Sequence, residues 1–354
     1  MPHFGYCATR TLAAKQVIVD GSSADAIARA SKVLQSGGVL GMPTETVYGL
    51  AANADDALAV AKIFMAKGRP ADHPLIVHVA DASGVDHYAS AVPGFARALI
   101  QTFWPGPLTL ILPRREGVAK AAAGGQDSIG LRCPSHPVAQ TLLRNILHNE
   151  KPVWGIAAPS ANRFGRVSPT TAAHVENELG GDLLVLDGGA CQVGIESAIV
   201  DCTRGKPVLL RPGQLTRAQL EAACGQTVWM ESEIESTPAP RASGTLESHY
   251  APQAKVRLMD AKGLQTALDL LGADVDTKTP TGPVIATWSR VILKSRSEKI
   301  LRRRMPDDAA VTAQQLFAVL REFDAQGVKL IWIEAPPDSP DWDGVRDRLQ
   351  RAAA

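Results

Sequence analysis

The chain has 354 residues, 45% of them apolar and 21% charged, and 37 Lys and Arg against 36 Asp and Glu leave a formal net charge of +1. At roughly 150 residues per domain this is one large domain plus a smaller one, long enough to bury a sizeable core. The near-zero balance excludes attraction to nucleic acid or membrane through overall charge, but not a local basic site. The five cysteines, Cys7, Cys133, Cys191, Cys202 and Cys224, are odd in number, widely spaced and lack a C-x-x-C pair. That argues against a disulfide scaffold or structural zinc and suits a reducing compartment. Residues 1–19 have no apolar h-region, and no run approaches the roughly 18 apolar residues of a membrane span. The expectation is a cytoplasmic protein.

Residues 24–35 read as an amphipathic helix closed by Gly37-Gly38, and 39–42 as a buried strand ended by Pro43. Alternation follows: helix at 55–66, strand at 74–79, helix at 94–102, strands at 108–112 and 128–132, helix at 137–147, strand at 153–157, helix at 170–179, then strands at 183–186, 198–201 and 208–210. This pattern predicts an α/β domain over 15–225, and the Pro- and Gly-bounded strands predict a mixed, open sheet. A polar, Pro-containing stretch without period marks an interdomain linker at 226–252. Strand and helix then alternate through 256–259, 264–271, 284–288, 312–323, 328–333 and 342–349, which predicts a smaller Rossmann-like α/β domain over 253–354. It has no G-x-G-x-x-G, so nothing in it supports dinucleotide binding.

The chain lacks G-x-x-x-x-G-K-[ST], H-E-x-x-H and G-x-S-x-G. Its unusual density lies in polar loops next to apolar strands, where function is commonly carried. Pro43-Thr44-Glu45-Thr46-Val47-Tyr48-Gly49-Leu50 is either a Thr-rich turn with a cap or a place where Thr44 bonds a small polar ligand. In Lys67-Gly68-Arg69-Pro70 the glycine ends a helix and the proline drives Arg69 towards extended geometry, so two cations converge. His78 closes the apolar run 74–78. The strand Ser128-Ile129-Gly130-Leu131-Arg132 sets Ser128, Gly130 and Arg132 on one face. A buried arginine there needs an anionic partner, either a protein carboxylate or a ligand. The loop 158–170 carries Ser160, Asn162 and Ser168, and Ser168-Pro169 reads as the N-cap and first position of a helix, whose N–H groups would suit phosphate oxygens. Glu196-Ser197 and Arg211-Pro212-Gly213 complete the set. Lys67, Arg69, Arg132 and Arg211 beside hydroxyl-rich loops point to a multiply anionic small molecule.

In this order, P-T-E-T-V-Y-G-L, K-x-R-P, L-I-V-H, W-P-G-P-L-T, an arginine before Pro134, P-S-A-N, E-S and L-R-P-G resemble the threonylcarbamoyl-AMP synthase (YrdC/Sua5) family. His249-Tyr250-Ala251-Pro252 resembles the linker end of its two-domain form. The resemblance implies a YrdC-like twisted sheet with a basic cleft for ATP, L-threonine and bicarbonate. The product would be threonylcarbamoyl-adenylate and pyrophosphate, for modification of adenosine 37 in tRNA by a downstream threonylcarbamoyl transferase, with at most a weak contact to tRNA itself. It implies catalytic roles for Lys67 and Arg69. It sets Thr44, His78, Arg132, Ala158 and Ser197 at threonine, and Lys67, Arg69, Ser128, Ser160, Asn162, Ser168 and Arg211 at the nucleotide. Mg2+ would accompany ATP, held by phosphate and water rather than by a protein cage. The chain departs from the pattern at His73, at Ala198 and at Glu247, where some relatives carry a tyrosine near the nucleotide. The competing reading is a non-catalytic RNA-binding module with a basic cleft, which the +1 balance and 5% aromatic content disfavour.

Overall fold

The computed structural model describes residues 17–234, 240–244, 249–271, 284–295 and 297–354. In chain order the first unit contains β1 (Ile18–Asp20), α1 (Ala24–Gln35), β2 (Leu40–Met42), β3 (Gly49–Asn53), α2 (Ala57–Lys67), β4 (Ile76–His78), α3 (Ser83–Tyr88), α4 (Gly94–Phe103), β5 (Leu108–Pro113) and β6 (Ser128–Arg132). It continues through α5 (Pro137–Leu147), β7 (Ile156–Ala157), α6 (Ala172–Leu179), β8 (Val185–Asp187), β9 (Ala198–Asp201), β10 (Val208–Arg211), α7 (Arg217–Cys224) and β11 (Trp229–Met230). The strands form one mixed sheet in the order β1-β8-β2-β3-β7-β4-β6-β5-β9-β10-β11. Its parallel pairs include β4 with β6 and β5 with β9, and its antiparallel pairs include β2 with β3 and β5 with β6.

Local chemistry explains the helix ends. Asp56 accepts from Leu58 N and Ala59 N at the start of α2, and Gly68, at φ 60°, ends that helix in the left-handed conformation. His136 and Pro137 open α5, while Thr216 and Gln219 make a reciprocal capping box at α7. The apolar stripes of α1 and α5 share one cluster with Leu40, Met42 and Leu186. A larger cluster gathers α2, α4, α6 and α7 onto the strands.

The second unit contains β12 (Lys255–Met259), α8 (Ala261–Leu271), β13 (Ile285–Ser289), β14 (Ile300–Arg304), α9 (Ala309–Ala325), β15 (Leu330–Glu334) and α10 (Asp343–Ala353). Its four parallel strands lie in the order β12-β15-β13-β14. The two units share apolar contacts: Val47, Val167, Val193, Ile195 and Tyr250 belong to the same buried cluster as Phe317, Leu320, Trp342 and Leu349. No helix among the described residues is long and apolar enough to cross a membrane. Cys133, Cys191, Cys202 and Cys224 are free thiols, and Cys7 lies outside the described residues.

Several elements carry too little local signal to be read from sequence. Three of the five residues of β3 are Gly or Ala and the strand lacks alternation, and β14 is an arginine-rich edge strand. Short β1 and α3, and α7 next to the polar stretch, also went unread. The two residues of β11 fall inside the stretch read as linker, so the sheet runs to Met230, beyond the expected boundary at 225.

Candidate active site

One pocket, with about 520 Å³ of empty space, opens where the loops and strand ends of the larger sheet meet the segment leading into the second unit. The loop after β2 supplies Thr44, Thr46 and Val47; β4 supplies Ile76 and His78; β6 ends on Arg132; the turn after β7 supplies Ala158, Pro159 and Ser160. Arg69 enters just beyond α2, Glu196 and Ser197 just before β9, and Arg211 from the end of β10. Ser243, Gly244, His249 and Tyr250 cover it from the interdomain segment. The eight side chains Thr44, Arg69, His78, Arg132, Ala158, Ser160, Ser197 and Arg211, spread over 168 residues of sequence (211 minus 43), therefore share one wall-to-wall space.

The Arg132 partner that sequence left open is a protein carboxylate. Nη2 lies 2.7 Å from Glu45 Oε1, with both side chains almost wholly buried. Nη1 donates to Thr46 Oγ1 at 2.7 Å and Nε to Gly106 O at 3.3 Å. Burial is the largest single influence and works to raise the Glu45 carboxyl, but the Arg132 charge and the hydrogen bonds from Arg132 and the backbone together outweigh it and hold Glu45 below the ordinary carboxylate range. Three of the five N–H groups of Arg132 are thus engaged, leaving two for a ligand. Thr44 is turned into its own loop, where Oγ1 donates to Val47 O at 2.6 Å and accepts from Thr46 N and Val47 N. Burial, reinforced by the Arg132 charge, pushes His78 down to about 3, so the pocket sees a neutral imidazole.

Arg69 and Arg211 differ from Arg132 in having only neutral acceptors among the described residues. Arg69 Nη2 donates to Pro74 O at 2.9 Å and Ser243 Oγ at 3.1 Å. Arg211 donates to Ser197 O from Nε at 3.1 Å and Nη2 at 2.9 Å, and to Ser243 O from Nη1 at 2.7 Å. Burial, with the Arg211 charge, draws Arg69 down to about 10, still cationic at neutral pH. Ser197 Oγ is held 2.8 Å from the buried Thr109 Oγ1, a partner that sequence reasoning missed. Around the pocket Arg69 Nε, His78 Nδ1, His249 Nδ1 and the Tyr250 hydroxyl are buried without a hydrogen-bond partner among the described residues. Orphaned polar atoms are rare in finished interiors, and their concentration here makes this pocket the candidate ligand site.

Four expected site residues do not line this pocket. Lys67 lies behind the wall, its Nζ donating to Ser160 O and Asn162 O at 2.5 Å each. Burial and the Arg69 charge hold its ammonium well below the usual lysine range. Lys67 and Arg69 therefore leave the helix end in different directions. Asn162 spends its amide on Arg163 O and Arg166 O, bracing the same loop. Ser128 lines a neighbouring hollow that shares Ile76 and Ser243 with the first, alongside Thr109, Gly130 and Ala242. Ser168 does not cap a helix: α6 starts at Ala172, capped by Thr171, whose Oγ1 accepts from His174 N. Ser168 instead donates to Glu196 Oε1 at 2.5 Å, because a buried carboxylate is the stronger acceptor. Glu247 lies outside the described residues.

Gly244 shows how closely the covering segment is fitted. Its φ is +73°, and a Cβ there would lie 2.4 Å from the Tyr250 hydroxyl and 2.7 Å from Arg211 Nη1. Sequence reasoning assigned no role to Arg348, which reaches Glu196 from α10. The only signal was an arginine sharing the helical period of Val345, Leu349 and Ala352, which are buried with it.

A mixed YrdC-type sheet whose loops converge on a cationic pocket, followed by a parallel α/β unit, defines the class. Residues 32–213 match the Sua5/YciO/YrdC family described as "Telomere recombination", and residues 215–354 match "Threonylcarbamoyl-AMP synthase, C-terminal domain". The chain is 36% identical over 330 residues to the threonylcarbamoyl-AMP synthase of Bacillus subtilis, covering 92% of each chain. It is likewise 36% identical over 329 residues to that of Pyrococcus abyssi, covering 92% of this chain and 93% of the other. Among solved structures, P. abyssi Sua5 complexed with L-threonine superposes with a TM-score of 0.80 at 35% identity, over 92% of this chain and 94% of that one. A P. abyssi Sua5 variant with a consecutive histidine and tyrosine changed to alanine gives a TM-score of 0.83 at 33% identity, over 96% of each chain. The protein belongs to the threonylcarbamoyl-AMP synthase family, in its two-domain Sua5 form.

Proposed function

We propose that the protein is an L-threonylcarbamoyladenylate synthase, a nucleotidyltransferase that makes threonylcarbamoyl-AMP and pyrophosphate from L-threonine, bicarbonate and ATP. The product serves threonylcarbamoyl modification of adenosine 37 in tRNA by a downstream transferase in the cytoplasm. The observation that carries this reading is a pair of buried guanidinium groups, Arg69 and Arg211, without a carboxylate partner among the described residues, facing a pocket that also holds Arg132 and polar atoms with no described partner. An uncompensated buried charge is costly, and an anionic ligand offsets it. A pocket covered by Ser243, Gly244, His249 and Tyr250 suits a small molecule better than a polynucleotide backbone.

In this reading the two remaining N–H groups of Arg132 take the threonine carboxylate. Neutral His78 is a weak base but a good acceptor, and it receives a hydrogen from the amine or hydroxyl. The neutral threonine amine bonds to the carbon of bicarbonate with loss of water, or to that of derived CO2 with loss of a proton from nitrogen, giving a carbamate in either case. A carbamate oxygen then attacks the α-phosphorus of ATP, and the bond to the β-phosphate oxygen breaks to release pyrophosphate. Arg69, Arg211 and the hydroxyls of Ser160 and Ser197 gather these mutually repelling anions and stabilise charge in the transition state. Lys67 and Asn162 hold the loop that presents Ser160, and Ser128 faces the adjoining hollow. Glu196 is the one carboxylate among the described lining residues and is already paired, and no described cluster of three His, Cys, Asp or Glu is placed to hold a metal. Mg2+ would therefore come with the triphosphate, where it would screen phosphate charge.

The test is pyrophosphate release measured with each substrate omitted in turn. Release should require threonine, bicarbonate and ATP together. Lys67→Ala and Arg69→Ala should each lower it about tenfold or more. Release without threonine, or full turnover by Arg69→Ala, would overturn the reading.

A further inference from the structure

One charged cluster joins the second unit to the wall of the pocket. Glu196 lines the pocket and is buried; its Oε2 accepts from Arg348 Nε at 3.0 Å and its Oε1 from Ser168 Oγ at 2.5 Å. Arg348, on α10, is 0% exposed. Its Nη2 donates to Glu196 O at 3.0 Å, and its Nη1 to Pro212 O at 2.7 Å and to Asp347 Oδ2 at 2.7 Å. A single guanidinium thus grips two separate loops of the first unit, those that present Ser197 and Arg211. The backbones leave it no slack: a Cβ on Gly344 would lie 2.6 Å from Gly213 O, and one on Gly213 would lie 2.4 Å from Ala198 N.

We propose that Arg348 is a positioning residue of the active site supplied by the C-terminal domain, which sets the spacing of Ser197 and Arg211 and keeps Arg211 available for the substrate anion. The proposal rests on the synthase reading above. Glu196 faces Arg348 and Arg211, and its charge is also felt by Lys67, His249 and Tyr250, with Asp347 on the far side of Arg348. Burial, the largest single influence, would raise the Glu196 carboxyl, but the charge of Arg348, then that of Arg211, and the hydrogen bonds from Ser168 and Arg348 together hold it below the ordinary range. Without Arg348 the strongest cationic influence left on Glu196 is Arg211, which lines the same pocket. A carboxylate that captures Arg211 takes it from the substrate, and protonation of that carboxylate releases it again.

The experiment compares full-length wild type, Arg348→Lys, Arg348→Met and Glu196→Gln/Arg348→Met. Threonine- and bicarbonate-dependent pyrophosphate release is measured from pH 5.5 to 8.5, with KM and kcat separated, beside thermal melts. Arg348→Lys keeps the charge but loses the fork, and should melt cooperatively with kcat/KM for ATP lowered about tenfold. Arg348→Met should lose more at neutral pH and recover relative to wild type as pH falls. The double variant should regain activity over Arg348→Met at neutral pH and lose that recovery. A folded Arg348→Lys with wild-type kinetics would overturn the proposal. So would a double variant no better than Arg348→Met with a wild-type pH profile, which would leave Arg348 a docking contact only. Wild type that releases no pyrophosphate would overturn the synthase reading and this inference with it.

Discussion

Arg132 and Glu45 show how a buried ion pair ties stability to the site. Removing one member leaves the other charge uncompensated, a change that costs roughly 3–5 kcal/mol, whereas the intact pair contributes little net. Arg132→Ala should therefore lower the melting temperature and also abolish threonine binding by calorimetry. Unaltered melting would show that Glu45 finds water. His78 supplies a pH dependence of known sign. Its folded pKa of about 3 lies below the ordinary value of 6.5, so as pH falls below 6.5 the unfolded chain binds a proton that the folded chain does not. The stability contribution is present above pH 6.5 and is lost progressively down to about pH 3. His249, pushed by burial to about 4, acts in the same direction. Urea unfolding at pH 7, 6 and 5 should show His78→Asn losing less stability per pH unit than wild type, by up to about 1.4 kcal/mol. Equal slopes would mean that the imidazole is solvated.

At the scale of elements, helix α10 and the loop 211–213 meet backbone to backbone. Besides Gly213 O, a Cβ on Gly344 would meet Ile195 Cδ1 at 2.8 Å. Gly344→Ala should push the helix off the loop, destabilise by about 1–3 kcal/mol and lower turnover. Gly181→Ala, with nothing within 4 Å, is the control and should leave both unchanged. Helices α1 and α5 and strand β6 were legible to the residue, because a 3.6-residue or alternating period and a flanking Gly or Pro are local signals. The start of α6 was misread by three residues: Ser168-Pro169 and Thr171 are both acceptable openings by composition. The choice fell to Thr171 because Glu196, 28 residues on, claims the Ser168 hydroxyl.

For the whole molecule, the two units are one packed body. Arg321 bonds Ser168 O at 3.2 Å and pairs with Glu178 at 3.1 Å, and Val47, Val167, Val193 and Ile195 lie beneath the second unit. Ending the chain at residue 253 should expose these side chains together, giving a protein that binds hydrophobic dyes, aggregates on warming and turns over poorly. A soluble, monomeric, fully active fragment would contradict this. From sequence alone came the alternation of helix and strand, the two-unit division, the polar loops and the ordered motifs that resemble the family, since all of these reside in neighbours a few residues apart. Only the tertiary structure decided which partner each charge would have. Arg132 meets Thr46 across 86 positions and Arg348 meets Glu196 across 152. A charge leaves water for whichever partner the sheet order brings within about 3 Å, and that order is a property of the packed chain rather than of any segment.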